Sequence, residues 1–236
     1  MNETKVKAIV IDSKDYKEKD KLVQLFTLEQ GIITTIFKGV KNSNAKLKSA
    51  KEIFTFGDFI YINGNFKTVT SADVISNFYD ITKNINNYYC ACEVLKIIQT
   101  VLPKEEPNSE LFVETLKVLS ALEEKDINAK LIICRFLIKV FEGVGYNFDL
   151  GKCNTCGNAF LTKIYMNLKY GDFTCSKCRI GETQEVPLNV YSCLRLISKT
   201  DYDKLSTIKL QSYVQDQIQD LLSKNFLNRF GRILFK

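Results

Sequence analysis

Histidine is absent from all 236 residues of this chain. That excludes Ser-His-Asp and Cys-His nucleophilic sites, the H-E-x-x-H metalloprotease and the His-x-Glu zinc deaminase centre. No G-x-x-x-x-G-K-[ST] occurs, so a P-loop nucleotide site is excluded as well. Gly143-Val-Gly145 leads to Phe148 where a dinucleotide fingerprint needs Gly or Ala, and it follows a helical pattern rather than a strand, so it reads as a helix stop. The chain also lacks the run of about 18 apolar residues that a membrane span requires. Its most apolar segment, Leu131 to Phe141, is interrupted by Arg135 and Lys139. The N-terminus has neither a long apolar stretch nor a small-residue cleavage site, which leads to the expectation of a cytoplasmic location. The 27 acidic residues show no metal or acid–base spacing, and an enzyme is not expected.

Cysteine is what the chain does have, eight in all. Four of them form Cys153-Asn-Thr-Cys156 and Cys175-Ser-Lys-Cys178, separated by 18 residues. This is the spacing of a four-thiolate zinc site, in which two tight turns each point two sulfurs at one centre. Two disulfides or two redox pairs would use the same residues, but disulfides belong to oxidising compartments. Between the pairs, Lys163 to Tyr170 alternates as a short strand, and Gly171-Asp172 reads as a turn, which outlines a zinc ribbon. Four sulfur ligands leave no open position, so one structural Zn²⁺ is expected rather than a catalytic one. Cys90, Cys92, Cys134 and Cys193 lie in apolar surroundings and read as buried structural thiols.

The net charge is +6 and unevenly spread: +2 over residues 1–80, −2 over 81–150, +3 over 151–182 and +3 over 183–236. Within the first segment, β-branched and aromatic runs predict strands at 5–11, 22–28, 32–37, 54–62 and 67–70 with 74–75, with a polar connection over 12–20 and glycine turns at Gly31 and Gly64. Five turn-linked strands in so short a stretch predict a small closed barrel of the OB-fold type. Such barrels bind single strands by pairing a lysine-bearing groove with stacking rings. Lys38, Lys41, Lys46, Lys48 and Lys51 form an acid-free run suited to phosphate contacts. Phe54, Phe56, Phe59, Tyr61 and Phe66 include candidate stacking residues, although the same alternation marks a half-buried strand. From about residue 84 the period changes to 3.6, predicting helices over 88–102, from Pro107 to about 122 and over 128–141, packed on their apolar stripes. After the insertion at about 150–182, two more helices are expected, at 189–198 and 206–226. The basic and apolar tail 228–236 would dock on the body or contact phosphate. The fold class is therefore α+β: an N-terminal barrel domain (1–80) and a helical domain (81–236) carrying the zinc ribbon.

This order of parts resembles the RecO family of bacterial recombination mediators. Specific segments match too. Ala8-Ile-Val-Ile, Asp15-Tyr16 and Asp20-Lys21-Leu22-Val23 resemble the family's opening, Lys38-Gly39-Val40-Lys41 its basic loop, and Gly145-Tyr146, Leu150 and Cys153-x-x-Cys156-Gly157 its entry to the zinc site. Phe148 stands where many members carry Pro, and some members lack the cysteines. The resemblance implies a nucleoid-associated DNA-repair accessory protein that binds single- and double-stranded DNA and anneals complementary strands. With the ring protein RecR, such a protein loads RecA onto DNA coated by single-strand-binding protein. It also implies that the helical domain receives the acidic, apolar C-terminal tail of single-strand-binding protein, with Arg135 matching the basic position in the helix before Gly145-Tyr146 and Lys139 one turn further on. Two other readings use the same sequence: a zinc-ribbon scaffold that binds only protein, and a metal-dependent nuclease.

Overall fold

The computed structural model describes residues 3–42, 46–124, 127–146, 150–160 and 163–234. Ser43 to Ala45 of the lysine run, Phe148 and the last two residues of the tail lie outside them. The fold is α+β and divides into two compact units, Met1–Glu123 and Glu124–Lys236.

The first unit is built on a closed five-stranded barrel, β1 (Glu3–Tyr16), β2 (Asp20–Thr27), β3 (Gly31–Phe37), β4 (Phe56–Ile62) and β5 (Lys67–Ser76), in the order β1-β2-β3-β5-β4. A short parallel pairing of β3 with β5, Thr35 opposite Lys67 and Ile36 opposite Thr68, closes it. Closure removes the unpaired edges that a small open sheet would expose. Alternate side chains point inward, and Val6, Ala8, Val10, Leu25, Ile33, Phe59 and Tyr61 fill the interior. β1 runs further than the hydrophobic pattern predicts. Residues 12–16, expected as a connection, pair with β2 from Asp12 opposite Gln24 to Tyr16 opposite Asp20, after a bulge between Val10 and Asp12. These polar residues sit at the margin of the sheet, outside β2 and β3, and carry no apolar period, so the strand there is invisible to one.

Two helices belong to this unit, α1 (Ile85–Val101) and α2 (Ser109–Leu122). Asparagines start them: Asn84 Oδ1 accepts from Asn86 N–H at 2.9 Å, and Asn108 Oδ1 from Leu111 N–H at 3.0 Å. They cover the outer face of the barrel. Phe112 of α2 meets Phe26 edge-on with ring centroids 5.3 Å apart and Phe56 at 6.3 Å, while Tyr88 of α1 meets Phe54 at 5.9 Å. This explains why Ala8 to Ile11 is an unbroken apolar run, since those residues are buried on both faces. The connection between α1 and α2 is pinned on the β2–β3 turn, where Glu105 N–H donates to Ile32 O at 3.1 Å. Gly31 is required there, with φ +68° and an added Cβ only 2.2 Å from Glu106 O.

The second unit centres on α3 (Ala129–Gly143), buried on nearly every side from Leu131 to Phe141 and packed with α4 (Leu188–Lys199) and α5 (Ser212–Phe230). The three helices α1 to α3, expected to form one bundle, thus divide between the units. Between α3 and α4 lies a three-stranded sheet in the order β7-β6-β8, with β6 (Ile164–Asn167) central, β7 (Phe173–Cys175) and β8 (Thr183–Val186). Gly171 turns β6 into β7 at φ +70°, as its position in the sequence predicts. The chain after α4 forms a 3-10 turn at Tyr202–Thr207, so α5 starts six residues later than predicted. Cys90 and Cys134 are buried, and burial pushes the Cys134 thiol up to about 12, as expected of inert core thiols, whereas Cys92 and Cys193, expected to be buried as well, are half-buried at helix surfaces.

Candidate metal centre and nucleic-acid interface

The ribbon brings all four predicted cysteines together. One sulfur from each of Cys153, Cys156, Cys175 and Cys178 lies within 4.8 Å of the others. Local backbone geometry accounts for this. Gly157 N–H donates to Cys153 O at 2.9 Å and Cys178 N–H to Cys175 O at 3.1 Å, closing two tight turns whose sulfurs face one point. Cys175 N–H also donates to Cys153 Sγ at 3.4 Å. Burial opposes charge on Cys153, yet the amides of Cys156, Cys175 and Thr155 outweigh it and bring that thiol down to about 6. Cys178 is pushed up to about 12, first by its hydrogen bonds to Cys175 and Cys156 and then by burial and Cys153. Such opposed shifts are what sulfurs crowded around one point produce, and a coordinated cation lets all four ionise. Tetrahedral sulfurs at a bond length of about 2.3 Å from a shared ion lie about 3.8 Å apart, so the residues fit a four-coordinate metal.

The barrel offers a different surface. A cleft of about 460 Å³ opens between the β1–β2 turn and the β4–β5 turn, lined among others by Tyr16, Lys17, Lys38, Asn65 and Phe66. Lys38 is exposed, Phe66 is 58% exposed, and Lys17 Nζ lies 5.3 Å from the Tyr16 ring centroid. Neither Lys17 nor Lys38 has a carboxylate partner among the described residues. Asp20, which also lines the cleft, is occupied by Gly39 N–H at 2.8 Å. That bond, with Lys41 N–H donating to Lys19 O at 3.1 Å, fastens the lysine run against the β1–β2 turn.

The five predicted lysines therefore stand differently. Val40 and Ala50 are buried in the barrel end with Leu47 against them, which turns the intervening Lys41, Lys46 and Lys48 outward. Lys46 and Lys48 carry no ion pair among the described residues, whereas Lys41 Nζ reaches Asp15 Oδ2 at 3.2 Å and Lys51 pairs with Glu52. Of the candidate stacking rings, Phe54, Phe59 and Tyr61 are buried and Phe56 packs on Phe112. Period-two alternation marks which residues share a face and does not reveal that both faces of this barrel wall are covered. Phe66 alone of the five is exposed. Tyr16 and Lys17 escaped the residue-by-residue reading because they lie in what looked like a polar linker. Their adjacency before Asp20-Lys21-Leu22-Val23 was the available signal.

In the second unit, Arg135 is only 8% exposed. Its Nε–H donates to Thr200 O at 3.1 Å, its guanidinium lies 5.8 Å from the Tyr202 ring, and its buried Nη1 has no hydrogen-bond partner. Lys139 pairs with Glu142 at 2.7 Å. Another arginine, Arg229 near the end of α5, lies over the Tyr146 ring at 3.8 Å with its Nε–H on Asn225 Oδ1 at 2.7 Å. The first residues of the expected tail thus continue α5, and Arg229 packs against Tyr146 and against Gly171 of the ribbon.

Among the described residues no helix is long and apolar enough to cross a membrane. Residues 1–78 match the family model described as recombination protein O N terminal, and residues 82–234 match recombination protein O C terminal. Similar proteins include the DNA repair protein RecO of Clostridium novyi, 25% identical over 219 residues that cover 92% of this chain and 86% of that protein. That of Clostridium perfringens is 28% identical over 211 residues, 89% and 86% of the two chains, and that of Acetivibrio thermocellus is 25% identical over 250 residues, 99% of each. With both halves matched and the barrel, helices and clustered cysteines in place, the chain belongs to the recombination protein O family and has a role in DNA repair and recombination.

Proposed function

We propose that this protein binds single- and double-stranded DNA at the barrel cleft and its lysine rim, anneals complementary strands, and acts with RecR in loading RecA onto DNA coated by single-strand-binding protein. The cleft carries the reading: two cations without carboxylate partners, Lys17 and Lys38, stand beside the rings of Tyr16 and Phe66. A single strand offers phosphates to the first and base faces to the second. Annealing then needs no catalytic step. Lysines lower the repulsion between two strands while base pairing supplies the free energy. The metal is proposed to be one zinc ion, because a closed four-sulfur set suits it and leaves no site for water. Tail docking at Arg135 and Lys139 is supported by the spare donor on Arg135 Nη1. A carboxylate reaching that atom requires Thr200 to Tyr202 to shift. In this reading the protein works in the cytoplasm at the nucleoid.

The test is annealing of two labelled complementary strands without nucleotide, bare and coated with single-strand-binding protein. The intact protein should accelerate both, with the effect fading as salt rises. Lys38→Ala combined with Lys46→Ala and Lys48→Ala should slow both and reduce the salt slope for a single strand by ~2, at ~0.7 per phosphate contact. Arg135→Ala should slow the coated reaction alone. Absence of acceleration by the folded, metal-loaded protein would point instead to a scaffold that binds only protein.

A further inference from the structure

The ribbon carries a surface of its own. Asn167, the last residue of β6, ties two loops side by side. Its Oδ1 accepts from Lys169 N–H at 2.9 Å and Tyr170 N–H at 3.0 Å, and its Nδ2 donates to Ile180 O at 3.0 Å. Leu168 N–H adds a bond to Glu182 O at 3.2 Å. The β6–β7 turn is thereby fixed beside the segment that follows the second cysteine pair. Tyr170 is 55% exposed and Ile180 78% on this platform. Lys169 Nζ lies 5.1 Å from the Tyr170 ring and the Arg179 guanidinium 5.0 Å from that of Tyr165. Lys169, Lys177 and Arg179 have no carboxylate partner among the described residues, whereas Lys163 of the same ribbon is paired with Glu185. Lys177 and Arg179 flank Cys178, so a metal held by the four sulfurs also fixes the position of both cations.

We propose that this end of the ribbon is a second contact site for single-stranded nucleic acid, separate from the barrel cleft, with Lys169, Lys177 and Arg179 on phosphates and Tyr170 against a base. The proposal rests on the reading that the chain binds DNA, and it gives the protein two places to hold strands. Nucleic acid is favoured over a protein partner because unpaired cations stand beside an exposed ring, the pairing that sequence-tolerant strand binding uses. The metal's part is positional: without it, the segment that carries Lys177 and Arg179 loses its anchor.

Two measurements test this on the full chain. The sequence holds no tryptophan, so Tyr170→Trp places a single indole reporter in the site. An unlabelled oligothymidine should quench it, at concentrations matching binding followed by anisotropy. Separately, Lys169→Ala with Lys177→Ala and Arg179→Ala should retain metal and fold while lowering the single-strand salt slope by ~2. DNA bound with unchanged indole emission and an unchanged slope in the triple variant would overturn the ribbon site and leave the barrel reading intact. DNA bound by none of the proteins, barrel variants included, would overturn both. Quenching by an acidic peptide and not by oligothymidine would reassign the surface to a protein partner.

Discussion

At the residue scale, a few side chains decide whether surface chemistry is available. Phe66 and Lys38 stay in solvent, while Phe54 and Phe59, which look similar in sequence, are consumed by packing. Packing even holds Phe54 in left-handed backbone, φ 73°, against the preference of an aromatic residue. Gly31 shows the converse, a position where any side chain fails. We expect Gly31→Ala to lower stability by at least about 1–2 kcal/mol from left-handed backbone alone, with the overlap on Glu106 adding to it. A denaturant midpoint unchanged from the parent would show that the α1–α2 connection can lift away without cost. The glycine was legible in the sequence as a hairpin turn. Its contact with Glu106, 75 residues away, was not, because a local pattern carries no information about which distant backbone passes the turn.

At the scale of elements, the ribbon was the most legible part of the chain, since ligand spacing specifies the geometry almost by itself. Even there β8 went unread, because Thr183-Gln-Glu-Val186 has one buried apolar residue and no alternation to detect. Its pairing with β6 joins the ribbon to the start of α4. Cys175→Ser should therefore abolish stoichiometric metal binding and lower the thermal midpoint of the second unit. Structural zinc is worth about 10–16 kcal/mol in small zinc domains, so removing one ligand of four is a large perturbation. Metal retained at one per chain would refute the four-thiolate centre. The same experiment done with a chelator on the parent protein should reproduce the midpoint shift. Helices were read well where asparagine caps and prolines bound them. They were read poorly at α5, where a 3-10 turn precedes the helix without a breaker residue.

At the scale of the whole molecule, two ways of dividing the chain differ. The family models divide it near residue 80, but α1 and α2 pack with the barrel, and the compact unit extends to Glu123. A chain ending at Glu123 should unfold cooperatively. One ending at Asp80 should lose the cover over Phe26 and Phe56, since deleting a buried aromatic side chain such as Phe112 by itself costs on the order of 3–5 kcal/mol, and bind a hydrophobic dye. Equal stability of the two truncations would contradict the packing of Phe112. The barrel strands were legible because alternation reports one buried face. The second buried face needed the helices, whose own stripes do not name their partner. One feature also bears on how the protein behaves at high concentration. From Asp12 to Tyr16, β1 pairs with β2 on one side and, among the described residues, has no strand on the other. Such an open margin invites a second molecule to add its own strand and so begin a fibrous precipitate. Asp12, Lys14 and Asp15 stud that margin with charge, and in doing so they protect the folded chain from strand addition when many copies are crowded together.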